Sequence, residues 1–125
     1  MCHHDCPGFK IERFLQPCLL LLLSSGSSYG YELLEEVRKE WFQNEALDPG
    51  LVYRSLRKME EQGLVCSEWV TGDSGPARRM YVITGAGRRV LEAWVVHIQS
   101  QLQRFERFLQ RYEGLLLKEK GEKLQ

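Results

Sequence analysis

Five cations in this chain are spaced to meet a polyanion together. Arg54, Arg57 and Lys58 lie within five residues of one another, and Arg78 and Arg79 adjoin a turn rich in glycine and proline. Guanidinium and ammonium groups so placed suit nucleic-acid phosphates, and arginine can also address the O6/N7 edge of guanine. Tyr53 beside them could donate its hydroxyl to a phosphate, or be a core residue with a hydroxyl tip. A second group, Cys2, His3, His4, Asp5 and Cys6, gathers metal-capable side chains at the N-terminus. Their spacing is too tight to close a tetrahedral site, because zinc normally takes ligand pairs two to four residues apart plus a distant pair. Cys2 and Cys6 could form half a site completed by a partner subunit, or the terminus could pick up metal weakly. No phosphate-cradling glycine loop and no spaced Ser/His/Asp set is present, and His97 falls beside an apolar stripe. Neither catalysis nor a cofactor is expected.

The cations need elements to aim them. Asp48 can cap a helix whose first position is Pro49, where a missing N–H costs nothing. Val52, Leu56 and Met59 then form an inward stripe, Arg54, Arg57 and Lys58 fall on other faces, and Gly63 ends the helix. Before it, Pro17 opens a short apolar helix to about Ser24. Ser24-Ser25-Gly26-Ser27 turns, and Ser28 caps a second helix with Tyr31, Leu34, Val37 and Trp41 inward and Leu33 at its edge. Two consecutive helices, the second basic outside, make a helix-turn-helix. Leu64–Thr71 and Ala77–Ile83 read as strands around the turn at residues 72–76, a hairpin serving as a wing. Alternation along a strand sends Arg78 and Arg79 to opposite sides, so one faces a given phosphate row and the other pairs with Glu68 or a neighbour. The two arginines could instead merely solvate the hairpin.

Thr84 caps a last helix running to about Lys118. Leu91, Ile98, Phe105 and Tyr112 recur every seven residues, Val95, Leu102, Leu109 and Leu116 follow four behind each, and Trp94, Phe108 and Leu115 widen the stripe. About 35 residues give a rod of roughly 50 Å. Apolar surface of that extent needs a cover, so a homodimer is expected. The aromatic residues Trp94, Phe105, Phe108 and Tyr112 could be packing alone, or leave a pocket on the seam for a flat small-molecule effector.

Composition is consistent with one such domain: 125 residues, 43% hydrophobic and formally uncharged overall. The charge is unevenly spread, net −4 over residues 1–49, +3 over 50–90 and +1 over 91–125. Ordinary surface charge would account for part of this. Four cysteines do not form a disulfide framework, which points to a reducing cytoplasm. Residues 14–23 have the order of a secretory signal, yet Asp5, Glu12 and Pro17 disturb it and the apolar run is too short to span a bilayer. A buried first helix is the expectation, with no membrane partner.

The chain resembles the PadR family of transcriptional regulators over about residues 15–113. The similarity is carried by Tyr29-Gly30-Tyr31-Glu32-Leu33, Val52-Tyr53-Arg54-Ser55-Leu56, Glu60 with Gly63-Leu64-Val65, Gly75-Pro76-Ala77-Arg78-Arg79-Met80-Tyr81, and Ile83-Thr84 with Gly87. The resemblance implies a mainly α winged helix-turn-helix with a small β-hairpin, dimerisation through the C-terminal helix, and repression at a palindromic operator on double-stranded DNA. It implies that Tyr53 and the helix cations lie near DNA, with the wing arginines at or near the minor groove. The expected organisation is a flexible segment 1–14, a DNA-binding domain 15–84, a dimerisation helix 85–118 and a frayed tail 119–125. A winged-helix module for protein contact, with incidental DNA binding, is the alternative.

Overall fold

Leucines crowd the first helix, and burying them organises the molecule. In the computed structural model, which describes residues 11–43, 46–72 and 75–124, α1 spans Ile11–Ser24. Leu15, Leu19, Leu20 and Leu23 are withdrawn from water almost completely. The helix starts well before Pro17, which lies inside it, so Pro17 does not open it and residues 11–14 are helical. An internal proline costs about 3 kcal/mol, and tertiary packing offsets it. Leu15 is fully buried, and Phe14 packs edge-on against Trp41 and Phe42 at ring distances of 6.5 and 6.1 Å.

A two-residue strand, β1 (Ser28–Tyr29), precedes α2 (Gly30–Trp41). Ser28 is therefore in the sheet and Tyr29 is the N-cap residue. The return half of a capping box survives, because the Tyr29 N–H donates to Glu32 Oε1 at 3.1 Å. The inner side of α2 is Gly30, Leu33, Leu34 and Val37. Tyr31, expected inside, is 47% exposed, while Leu33, expected at the edge, is buried.

The third helix, α3 (Pro49–Glu61), begins and ends as its residues dictate. Asp48 Oδ1 accepts from the Gly50 N–H at 3.0 Å, and Pro49 occupies the first turn. At the other end Gly63 takes φ +78°, a left-handed conformation that suits glycine. The Leu64 N–H then reaches the Met59 carbonyl at 2.9 Å and the Gly63 N–H the Glu60 carbonyl at 3.1 Å, a Schellman closure. Val52, Leu56 and Met59 carry the helix into the core.

Strands β2 (Val65–Val70) and β3 (Arg78–Ile83) pair antiparallel, and β1 adds to the far edge of β3 in the order β1-β3-β2. The wing is thus a three-stranded sheet instead of a lone hairpin. Thr84 ties its end to the next helix: its N–H and hydroxyl both donate to the Leu64 carbonyl, and its Oγ1 accepts from the Gly87 N–H at 3.0 Å. A side chain at Gly87 would collide with the Leu64 carbonyl and with Ile83, so glycine is what allows this close approach.

The last helix, α4 (Gly85–Leu124), continues past Lys118, where the sequence led us to expect fraying. The chain divides into two units, one up to Leu91 and one from Glu92 onward. In the first, Ala86, Val90 and Leu91 pack on the core, so Leu91 belongs there and not to an open seam. The second is helix alone, and Val95, Ile98, Leu102, Phe105, Phe108, Leu109 and Tyr112 are all exposed along it. Among the described residues, no helix is long and apolar enough to cross a membrane.

Candidate nucleic-acid interface

With its apolar stripe anchored, α3 holds Arg54, Arg57 and Lys58 in water. Arg57 and Lys58 make neither ion pair nor side-chain hydrogen bond among the described residues. Arg54 leans back toward the helix start, its guanidinium 3.9 Å from Asp48 with both side chains well exposed. Such a pair contributes little in water and yields readily to a better anion. Tyr53 lies between its two expected roles. It is 37% exposed, and its ring fills the space left by Gly30, where a Cβ would come within 2.9 Å of Cε1.

The wing separates its arginines as strand alternation requires. Arg79 lies opposite Trp69, on the sheet face that continues inward through Ser67, Tyr81, Val65 and Ile83. Its Nε donates to Ser67 Oγ at 2.9 Å, and Ser67 donates onward to Glu60 Oε2 at 2.7 Å. Its guanidinium also sits 5.2 Å from the Trp69 ring centre, over an indole that is 62% exposed. Glu60 is on α3, so this chain of contacts joins the wing to that helix. Burial pushes the Tyr81 hydroxyl pKa up, with the Arg79 charge acting against the rise. Arg78 takes the opposite face and meets Tyr29 and Tyr31. Of the partners expected from sequence, Glu68 or a neighbour, Arg79 takes the neighbours Ser67 and Trp69.

Sequence reasoning missed this second layer. The helical spacing places Tyr31 on the inward stripe of α2, and a two-residue β1 carries no periodicity that could reveal it. The contact between Arg79 and Trp69 was recoverable in principle, since pairing the strands sets these residues opposite each other. Cys2, His3, His4 and Cys6 lie outside the described residues.

A helix presenting cations beside a basic three-stranded wing is the arrangement of winged-helix regulators, and comparison with known proteins decides the family. The model of the transcriptional regulator PadR-like family matches residues 19–93. The chain belongs to that family. The family is one of transcriptional regulators. The chain is 24% identical over 87 residues to the negative transcriptional regulator PadR of Bacillus subtilis (strain 168). That match takes in 70% of this chain and 48% of the relative, so the chain spans about half the relative's length. A PadR family transcription regulator from Clostridium difficile R20291 superposes with a TM-score of 0.68 at 27% identity, covering 77% of this chain and 98% of that one. The crystal structure of B. subtilis PadR in complex with operator DNA gives a TM-score of 0.60 at 23% identity, over 66% and 47% of the two chains.

Proposed function

We propose that this PadR-like regulator binds double-stranded DNA as a homodimer and represses transcription from a palindromic operator. The observation that carries the reading is α3: Val52, Leu56 and Met59 fully buried, with Arg54, Arg57 and Lys58 outward on the same rigid helix. In a major groove these three would reach phosphates or guanine edges, Tyr53 would offer its hydroxyl to a phosphate, and one of the wing arginines, Arg78 or Arg79, would meet the neighbouring backbone. Repression is carried over from the B. subtilis relative, named a negative regulator.

Dimerisation is supported by the second unit, where Val95, Ile98, Leu102, Phe108, Leu109 and Tyr112 are exposed along one helix. Surface of this kind calls for a cover, and a second copy supplies a complementary one. Two-fold symmetry then sets the α3 helices about one DNA turn apart, roughly 34 Å. A flat apolar effector held by Trp94, Phe105, Phe108 and Tyr112 would alter that spacing and release the operator.

Selection of bound fragments from random duplexes tests the proposal. The expected outcome is an enriched inverted repeat with half-sites about one turn apart. Enrichment of a single unrepeated element, or of none, would count against it, and the latter would favour a protein-contact module.

A further inference from the structure

The two wing arginines are held by different devices, and the one around Arg78 has no role in the core. On the outer face of the sheet, Tyr29 pairs with Met80 in register, which puts its ring on the same side as Arg78. Tyr31 follows in the first turn of α2. The two tyrosine rings stack at 5.8 Å with 9° between their planes. Arg78 Cζ lies 5.8 Å from the centre of one and 5.5 Å from the other, both within cation–π reach. Arg78 Nη1 also donates to the Tyr31 hydroxyl oxygen at 3.1 Å.

Tyr31 is 47% exposed, so burial does not explain its place. Among the described residues its ring stacks on Tyr29 and its ring and hydroxyl meet Arg78. An arginine on a hairpin edge ordinarily loses rotamer freedom when it binds an anion. Here aromatic faces and one hydroxyl restrain it beforehand. Both rings lie within cation–π reach of the guanidinium, and Tyr31 takes one of its five donors, leaving the others for an anion. Such a group meets a phosphate oxygen without first having to be ordered.

We infer that Tyr31, backed by Tyr29, is a positioning residue for Arg78, holding its guanidinium in one orientation for a backbone phosphate of duplex DNA. The inference rests on the DNA-binding reading above and adds to it a residue outside the cationic set.

Two measurements test it. In the free protein, nitrogen-15 relaxation of the arginine Nε–H groups should find Arg78 ordered and Arg57 mobile, with Tyr31→Ala making Arg78 as mobile as Arg57. With a labelled mixed-sequence duplex of about 30 base pairs at roughly 50 mM salt, Tyr31→Ala should weaken binding about two- to fivefold. In an Arg78→Ala background the same change should have no effect. Tyr31→Phe, which removes a single oxygen from an exposed ring, should fall between and guards against misfolding of the alanine variant. Equal losses in both backgrounds, or an Arg78 as mobile as Arg57 in the wild type, would overturn the inference. A wild-type protein with no affinity for the duplex overturns the DNA-binding reading instead, while the relaxation data still decide whether Tyr31 orders Arg78.

Discussion

Arg57 and Lys58 have less to give up in meeting DNA than Arg54, because among the described residues only Arg54 of the three is in an ion pair. Replacing Arg54 or Arg57 with alanine should weaken operator binding by about 1–3 kcal/mol each and leave the dimer intact. Gel-shift titration of the selected operator checks this, and unchanged retention would remove the residue from the contact set. The cysteines give a sharper contrast between buried and exposed chemistry. Burial pushes the Cys18 thiol from 9.0 up to about 12, whereas Cys66 is exposed. Iodoacetamide at about pH 8 should therefore alkylate Cys66 and spare Cys18 until denaturant is added. Peptide mass mapping reads the result, and labelling of Cys18 in the folded protein would contradict the packing of α1. The sign for stability also follows. Between about pH 9 and 12 the unfolded chain has lost the Cys18 proton and the folded one has kept it, so stability falls as pH rises through that window. At this scale the sequence revealed which residues are cationic and exposed, but not what restrains them. Ser67, Glu60, Tyr29 and Tyr31 act on the arginines through tertiary contacts that no spacing rule encodes.

Among the elements, α3 was the most legible, because its signals are local. Asp48, Pro49 and Gly63 specify its ends through their own side chains and backbone preferences, and the stripe of Val52, Leu56 and Met59 is unambiguous. The start of α1 was misread for a physical reason. Pro17 is locally a helix-start signal, and the burial of Leu15 with the aromatic packing of Phe14 carries the helix back past it. The strand β1 was invisible since two residues carry no alternation, and it displaced the expected cap from Ser28 to Tyr29. Gly87 is where elements constrain one another most tightly. Gly87→Ala drives a methyl group into the Leu64 carbonyl that Thr84 uses, and should cost about 1–3 kcal/mol of stability. Urea denaturation monitored by circular dichroism measures it, and an unchanged midpoint would show that the junction yields without strain.

For the molecule as a whole, the decisive element is the part of α4 from Glu92 onward. Phe108 is 71% exposed there, with Ile98, Leu102 and Leu109 exposed beside it, a surface of the kind that association covers. The heptad spacing made this surface readable in advance, although its length was underestimated because charged residues after Lys118 resemble a frayed end. Introducing Phe105→Glu and Leu109→Glu together should convert a dimer into a monomer in sedimentation at micromolar protein, with the sheet and α1–α3 retained. A monomeric wild-type chain would sink the proposal that copies pair through this face.

If the cations of α3 and the wing engage duplex DNA together, binding must depend steeply on salt. Each neutralised phosphate releases counterions, so two copies contributing three or more cations each should give a plot of log K against log salt with a slope of about −5 or steeper. Anisotropy titrations of the operator duplex between roughly 50 and 200 mM salt should therefore show affinity falling about a thousandfold. Binding that is absent, or that stays flat across that range, would contradict the account.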